Sequence, residues 1–411
     1  MLAFLATVAM TVVPFLVVIT VIVTIHELGH FLTARAFGVA VDRFSVGFGP
    51  TMFARRDKSG VEWRLAWLPL GGYVRFAGDD NAASVPDQDD LDDMRTAIIA
   101  REGAGAEKRY LYFKPLWQRA LVVFAGPAAN FVLAAFIFGT LFLAIGDNVV
   151  QGPIGQILPG SPAQAAGFKV GDEIVAADGH TLRGFVSTQQ FDDLRDYVAY
   201  RTGIPIDFTV KRGNQLIHLT ATPAAVSESN PFGAGQAGRL GVALSPQAAT
   251  IAARRYNPVE ALGLGAARTW DTVETTGLYL SGMVTGRVSA SELHSFIGTA
   301  EASGALTKAS IDAGGGDVRA ASLNVAANLA NLCALISVTV GLLNLLPIPI
   351  LDGGHLLFYA YEGVVRRPVS AGVQAAGYRV GLALLACLLL FATGNDLHLQ
   401  KVFHFLRGPF S

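Results

Sequence analysis

The chain has 411 residues, 52% of them apolar and only 15% charged, whereas roughly a quarter of an ordinary soluble domain is charged. That excess of apolar residues excludes a purely soluble protein, and a formal net charge of −1 leaves no electrostatic footprint for nucleic acid. With only Cys333 and Cys387, both inside apolar blocks, a disulfide framework and a cysteine-rich metal site are excluded too.

Charges are missing from four blocks: Met1 to Ile25, Ala120 to Gly146, Ala320 to Leu351 and Val380 to Asn395. A helix needs about 20 apolar residues to cross about 30 Å of hydrocarbon. The first three blocks meet that length, and the fourth, with 16 residues, reaches it if Leu397 and Leu399 sit at the interface. The pattern predicts a polytopic α-helical membrane protein with four transmembrane helices, over 1–36, 119–146, 321–362 and 379–400. No Lys or Arg precedes Arg35, and the first block outruns the usual signal-peptide core, so it reads as a retained helix.

Residues 35–119 hold 13 Lys and Arg in 85 positions, against 13 in the 173 positions of 147–319. Positive loops stay in the cytoplasm, which predicts a cytoplasmic loop over 37–118. Arg366 and Arg367 in the last short connection agree. Both termini and the long middle segment then fall on the periplasmic side of a bacterial inner membrane. Within the cytoplasmic loop, Phe44, Val46 and Phe48, the turn string Asp57-Lys58-Ser59-Gly60, then Trp63, Leu65 and Trp67 alternate with period two. They predict a membrane-associated β-hairpin element over about 43–78. Gly78 to Asp93, with seven Asp and no base, reads as a solvated acidic segment to which no chemistry is assigned.

The middle segment opens with strand, helical turn and hairpin signals: Ile154 to Leu158, Ser161-Pro162-Ala163, Gly171-Asp172, Ile174 to Ala177, then Ile206 to Val210 and Leu216 to Leu219 across Arg212-Gly213-Asn214. They predict an inserted α+β domain over 150–225. A linker over 226–320 follows, with amphipathic helices, one starting at Pro258.

At the end of the first block the chain reads His26-Glu27-Leu28-Gly29-His30. Four residues apart on a helix, His26 and His30 project from one face and can share a cation, with Glu27 beside them. Ionisable groups are costly to place in an apolar span, so they point to function rather than to polar decoration at the lipid interface. A catalytic zinc takes three protein ligands and leaves a position open. The third candidate is Asp352, in the string Asn344-Leu345-Leu346-Pro347-Ile348-Pro349-Ile350-Leu351-Asp352-Gly353-Gly354-His355, with His355 as the competing ligand. Two prolines break the helix there, and irregular backbone at membrane depth belongs inside the bundle.

The helix-borne His26-Glu27-x-x-His30, the Asn344-x-x-Pro347-x-Pro349-x-Leu351-Asp352-Gly353 string and four spans around a far-side module resemble the site-2 protease family of intramembrane zinc metalloproteases. Within that family they resemble the bacterial regulator of sigma-E protease group. Ser161-Pro162-Ala163 to Gly171-Asp172 resembles a bacterial PDZ domain, so the inserted module is expected to be PDZ-like, and Gly126-Pro127-Ala128-Ala129-Asn130 resembles another motif of the group. The departure is that one PDZ copy is found where better known members carry two.

The resemblance implies that Zn2+ is held by His26, His30 and Asp352, with Glu27 as general base. It implies cleavage of peptide bonds within or near the membrane segments of single-span proteins, for example anti-sigma factors or signal-peptide remnants, after an upstream site-1 protease. From its far-side position the PDZ-like domain is expected to gate access by excluding bulky intact ectodomains, with ordinary peptide capture as the alternative. An exposed edge of the Phe44 to Val74 sheet can pair with an unwound substrate, Gly47, Gly49, Gly71 and Gly72 allowing close backbone approach. Asn344 and Asn130 are the expected hydrogen-bond partners of the substrate backbone. Expected partners are these substrates and the lipid bilayer, and no nucleic acid. The alternative is a non-catalytic membrane-bound PDZ scaffold with a structural metal site, which has no need of Glu27. A transporter is disfavoured because no repeated broken helix is evident.

Overall fold

The structure, a computed structural model, describes residues 2–78, 88–182, 186–187, 194–199, 201–230, 233–245, 250–285 and 295–397. Most of the acidic segment, and Leu399, lie outside them. The chain divides into two compact units, one made of residues 1–134 and 295–411 and the other of 135–294.

Among the described residues, four helices are long and apolar enough to cross a membrane: α1 (Leu2–Ala36), α3 (Leu116–Ala144), α8 (Val318–Asn344) and α10 (Ala371–Asp396). The chain is a polytopic membrane protein. On α10 the side chains of Leu382, Leu384, Leu385 and Leu388 to Leu390 stay exposed, a surface that lipid rather than water solvates. This helix starts eight residues before the expected 379, because a single charge, Arg379, does not end a helix whose own backbone bonds are intact.

The expected single helix over 321–362 is two helices. After α8, Leu345 and Leu346 close the last turn onto Leu342 and Leu343, and α9 (Asp352–Val365) begins seven residues later. Pro347 and Pro349 lack the N–H groups a continuous helix requires. The intervening loop lies on the first turn of α9: a Cβ on Gly353 would overlap the Leu345 and Leu346 carbonyls, and one on Gly354 would overlap that of Ile348. Helix α7 (Phe296–Ala313) packs on α1, with Gly304 seated against Thr11, and on α8, where Asn328 Nδ2 donates to Ser310 Oγ at 2.7 Å. At its start Asp396 of α10 accepts from the Ser295 and Gly298 amides at 2.7 and 3.0 Å.

Strands β1 (Val41–Arg56) and β2 (Glu62–Phe76) turn over Asp57 to Gly60, where Asp57 Oδ1 accepts from the Ser59 and Val61 amides. Residues 43–46 pair on one side with 72–75 and on the other with 62–65, while 51–56 pair with 62–66. The element is therefore a small folded sheet rather than a plain hairpin. Phe44, Val41 and Val61 are buried against Phe31 of α1, and the far side exposes Phe48, Met52, Phe53, Trp67 and Leu68. Helix α2 (Gln88–Glu102) follows.

The second unit takes the C-terminal part of α3 and an α+β module. In chain order this module contains β3 (Asp147–Gln151), β4 (Ile154–Ile157), α4 (Pro162–Ala165), β5 (Glu173–Ala177), β6 (His180–Thr181), β7 (Val186–Ser187), α5 (Leu194–Ala199), β8 (Ile206–Arg212) and β9 (Gln215–Ala221). Then come β10 (Ala224–Asn230), β11 (Gly233–Arg239), β12 (Val242–Leu244) and β13 (Thr250–Arg254). The sheets run β6-β5-β8-β9, β13-β3-β7, β12-β4 and β10-β11 around Ile154, Phe168, Ile174, Ile206, Phe208 and Val210. The expected boundary at 225 falls short. Leu240 is buried in the same core and Val242 pairs with Ile157, so the core of the module runs on to Leu244, beyond which β13 pairs back onto β3. Helix α6 (Pro258–Val284), opened by an Asn257 and Glu260 capping box, crosses α3 where Gly265 meets Ala135 and Gly139.

Candidate metal centre

His26 and His30 sit ten and six residues before Ala36, the last residue of α1, hence about 15 and 9 Å along the helix from its end. That places them inside the apolar span. One helical turn apart, they bring their Nε2 atoms to 3.2 Å, with the rings edge to face. Asp352 opens α9 and points its Oδ2 at both, 3.1 Å from His26 Nε2 and 3.5 Å from His30 Nε2.

Three features test whether this triad suits a zinc ion. A tetrahedral zinc with bonds of about 2.0 to 2.2 Å needs donor atoms about 3.3 to 3.6 Å apart, and the three observed separations lie within about 0.2 Å of that range. Asp352 Oδ2 is enclosed and, among the described residues, faces no group but the two imidazoles, so beside neutral histidines its charge is left for a cation to pair. Gly126 of α3 leaves a gap at the triad: a Cβ there would overlap His30 Nε2 and stand 2.9 Å from His26 Nε2. Two neutral imidazoles and a carboxylate are also the donor types zinc takes in catalytic sites. The residues fit the metal.

The surroundings hold the triad in place. His30 Nδ1 lies 2.8 Å from the Val122 carbonyl, and the Asn130 side chain lies 3.2 Å from His26 Nδ1. Glycine at 29 lets α1 touch α3, since a Cβ there would overlap the Ala125 carbonyl and come within 2.8 Å of the Ala129 Cβ. Arg119, near the start of α3, pairs with Glu362 of α9 and lies over the Tyr359 ring, tying the Asp352 helix to the helix behind the histidines. Glu27 is turned toward the sheet, its Oε2 accepting from the Val74 amide at 3.1 Å.

The other expected site residues fall in different places. His355 lies one turn beyond Asp352 and meets Tyr378 at 3.2 Å, apart from the triad. Asn344 is the last residue of α8 and is partly exposed. Asn130 has no exposed surface and faces His26, so burial removes it from the substrate contacts expected of it. Gly47, Gly49 and Gly71 have left-handed or otherwise positive φ values of 86°, 86° and 148°, and side chains at 47 and 71 would meet the Leu68 carbonyl and the Phe48 ring. The folding of the sheet, not access for a substrate, accounts for these three. Gly72 alone lies beside Glu27, where a Cβ would stand 3.4 Å from Glu27 Cγ. Sequence reasoning assigned no role to Val122 or Gly126, although their four-residue spacing to Asn130 puts all three on one ridge of a helix.

The sequence matches peptidase family M50 over residues 14–388. It is 45% identical over 400 residues to metalloprotease MmpA of Caulobacter vibrioides, covering 97% of this chain and 98% of that protein. A protein of Agrobacterium fabrum is 37% identical, covering 94% of this chain and 95% of its own length, and one of Rhizobium meliloti is 38% identical, covering 94% and 96%. Both carry the name zinc metalloprotease.

Proposed function

The chain belongs to peptidase family M50 and is a zinc metalloprotease, and from that premise we propose that it hydrolyses peptide bonds within or next to the membrane segments of single-span proteins. The observation that carries this reading is the convergence of His26, His30 and Asp352 about 9 to 15 Å inside the end of an apolar helix, with Glu27 between the two histidines in sequence.

In this reading His26, His30 and Asp352 hold the zinc. Zinc, when bound, supplies Lewis acidity that polarises a peptide carbonyl and makes water a usable nucleophile near neutral pH. Glu27 takes up the proton released from the attacking water and returns it to the leaving amine. The Val74 amide, 3.1 Å from Glu27 Oε2, orients that carboxylate. A peptide bond in a helix is shielded by its own hydrogen bonds, so the substrate has to be held extended. We place that segment beside Gly72, the sheet residue next to Glu27, with Asn344 contributing a hydrogen bond to it.

The module over 147–244 is read as a single PDZ-like domain that gates access. Supporting this is a half-open apolar groove of about 740 Å³ lined by Leu158, Leu194, Val198, Leu240 and Val242. Arg35, Lys114 and Arg119 lie at or beyond the ends of α1 and α3 nearest the centre, and Arg366 and Arg367 follow α9 in the short connection to α10, as the positive-inside rule asks of cytoplasmic segments. We therefore place the centre toward the cytoplasm of a bacterial inner membrane and both termini in the periplasm. Anti-sigma factors or signal-peptide remnants shortened first by a site-1 protease are the proposed substrates.

The test is zinc content together with cleavage of a model single-span substrate. Glu27→Gln is expected to keep the metal and lose about 10²- to 10⁴-fold in turnover, the usual worth of a general base. Asp352→Asn is expected to weaken metal binding. Wild-type turnover in the Glu27→Gln protein would refute the proposal.

A further inference from the structure

Val122, Gly126 and Asn130 of α3 are spaced four apart and form one ridge against α1. The ends of the ridge meet the Nδ1 atoms of both histidines, and its middle leaves the gap at their Nε2 atoms. We propose that this ridge sets the tautomer of both histidines and that Asn130 is the positioning residue for His26. The inference rests on the zinc reading above.

A neutral imidazole that ligates through Nε2 has to carry its proton on Nδ1. For His30 the choice is forced, because the Val122 carbonyl has no hydrogen to give and can only accept. For His26 the choice falls to the Asn130 amide, one end of which donates while the other accepts. With Nδ2 nearest His26 Nδ1, Asn130 Oδ1 is buried and, among the described residues, has no partner. A half-turn of the amide exchanges the two ends: Oδ1 then accepts from His26 Nδ1–H, which frees the Nε2 lone pair for the metal, and Nδ2 takes the position without a partner that Oδ1 had. The residue is held for this task. It is fully buried, and its backbone carbonyl accepts from Ser337 Oγ of α8 at 2.9 Å.

This differs from a packing role in what it asks of the side chain: an acceptor at that point, not merely a filled volume. Full-length protein purified in detergent should be compared as wild type, Asn130→Leu, Asn130→Ser and Asn130→Asp. Zinc affinity is measured by chelator competition, and the ligand field by the visible spectrum of the cobalt(II)-substituted protein. Leu fills the same volume without an acceptor, and Ser is too short to span the gap. Both are expected to bind zinc about 10- to 100-fold more weakly and to shift the cobalt bands. Asp keeps the acceptor and is expected to restore zinc affinity to within about threefold of wild type.

Wild-type affinity in either the Leu or the Ser protein overturns the inference, and so does an Asp protein as weak as the Leu one. Failure of the wild-type protein itself to bind one zinc would instead sink the parent reading, so the two failures are told apart.

Discussion

Replacing Gly126 by alanine adds one methyl group at the point where the metal donors converge. The new Cβ would overlap His30 Nε2 and stand 2.9 Å from His26 Nε2, so His26 alone has to retreat by about 0.5 Å to regain ordinary van der Waals contact. Metal–ligand bonds tolerate about 0.2 Å. The helices do not offer the slack, because α1 and α3 already touch at Gly29 and Ala125, and His30 is held by the Val122 carbonyl at 2.8 Å. An imidazole has to swing out of register. If one of three ligands carries roughly a third of about 10 kcal/mol of zinc binding, its loss costs about 3 kcal/mol, or more than 10²-fold in affinity. The fold should not suffer, since alanine is favoured over glycine inside a helix by about 1 kcal/mol. The assay is zinc stoichiometry and chelator competition on purified protein, with a thermal midpoint as the control for folding. Gly126→Ala protein that retains zinc at wild-type affinity would refute the reasoning that this gap is the metal's place.

Glu362→Ala strands Arg119, which is 8% exposed, and is expected to lower stability by about 2 kcal/mol, less than a fully buried pair because Glu362 keeps a fifth of its side chain in contact with solvent. A thermal midpoint equal to wild type would count against it. In the α+β module, burial opposes ionisation of Asp172, but the Arg212 guanidinium at 2.7 Å and the Lys169 amide at 2.8 Å outweigh it and hold the carboxyl below its ordinary range. Its folded value being the lower one, the stabilisation is present above about pH 4 and fades as pH falls through the folded value. Asp172→Asn should therefore lower stability at neutral pH and flatten the acid limb; parallel pH profiles for variant and wild type would contradict this. Leu158→Glu puts a charge in the apolar groove. If the groove gates access, a shortened substrate is still cut while discrimination against the full-length one changes, and unchanged discrimination speaks against gating.

Much of the site was legible in the sequence because it is local. The four-residue spacing of His26 and His30 dictates a shared face once their segment is helical, and the apolar run up to Ile25 dictates the helix. Asp352 could be singled out as the first charge after a long uncharged block, but its arrival 3.1 Å from His26 depends on the break at Pro347 and Pro349 and on a loop that tolerates no side chain at Gly353 and Gly354. Asn130 could not be placed in the same way, because an asparagine in an apolar helix carries no sign of whether it faces a substrate or a histidine, and only the structure puts it, buried, beside His26.

Helix α7 falls within the expected linker over 226–320, and Thr299, Ser303, Thr307 and Ser310 give it hydroxyls that no apolar block announces. The hydroxyls of Thr299, Thr307 and Ser310 bond back to carbonyls one turn earlier, at 3.0, 2.8 and 2.6 Å, and so can be covered by α1 and α8. The end of the module's core at Leu244 escaped because Leu240, Val242 and Leu244 form too short an alternating run to announce a strand that pairs with residues over eighty positions earlier.

By itself the sequence determined the number of candidate spans and the placing of two histidines on one face of a helix, both of which follow from composition and from a period of 3.6 residues. Only the tertiary structure decided which helix stands behind the histidines and where room is left for the ion. The reason is that close approach of helices is set by the shapes of small residues such as Gly29, Ala125 and Gly126 meeting in three dimensions, a property that no one-dimensional pattern of polarity encodes.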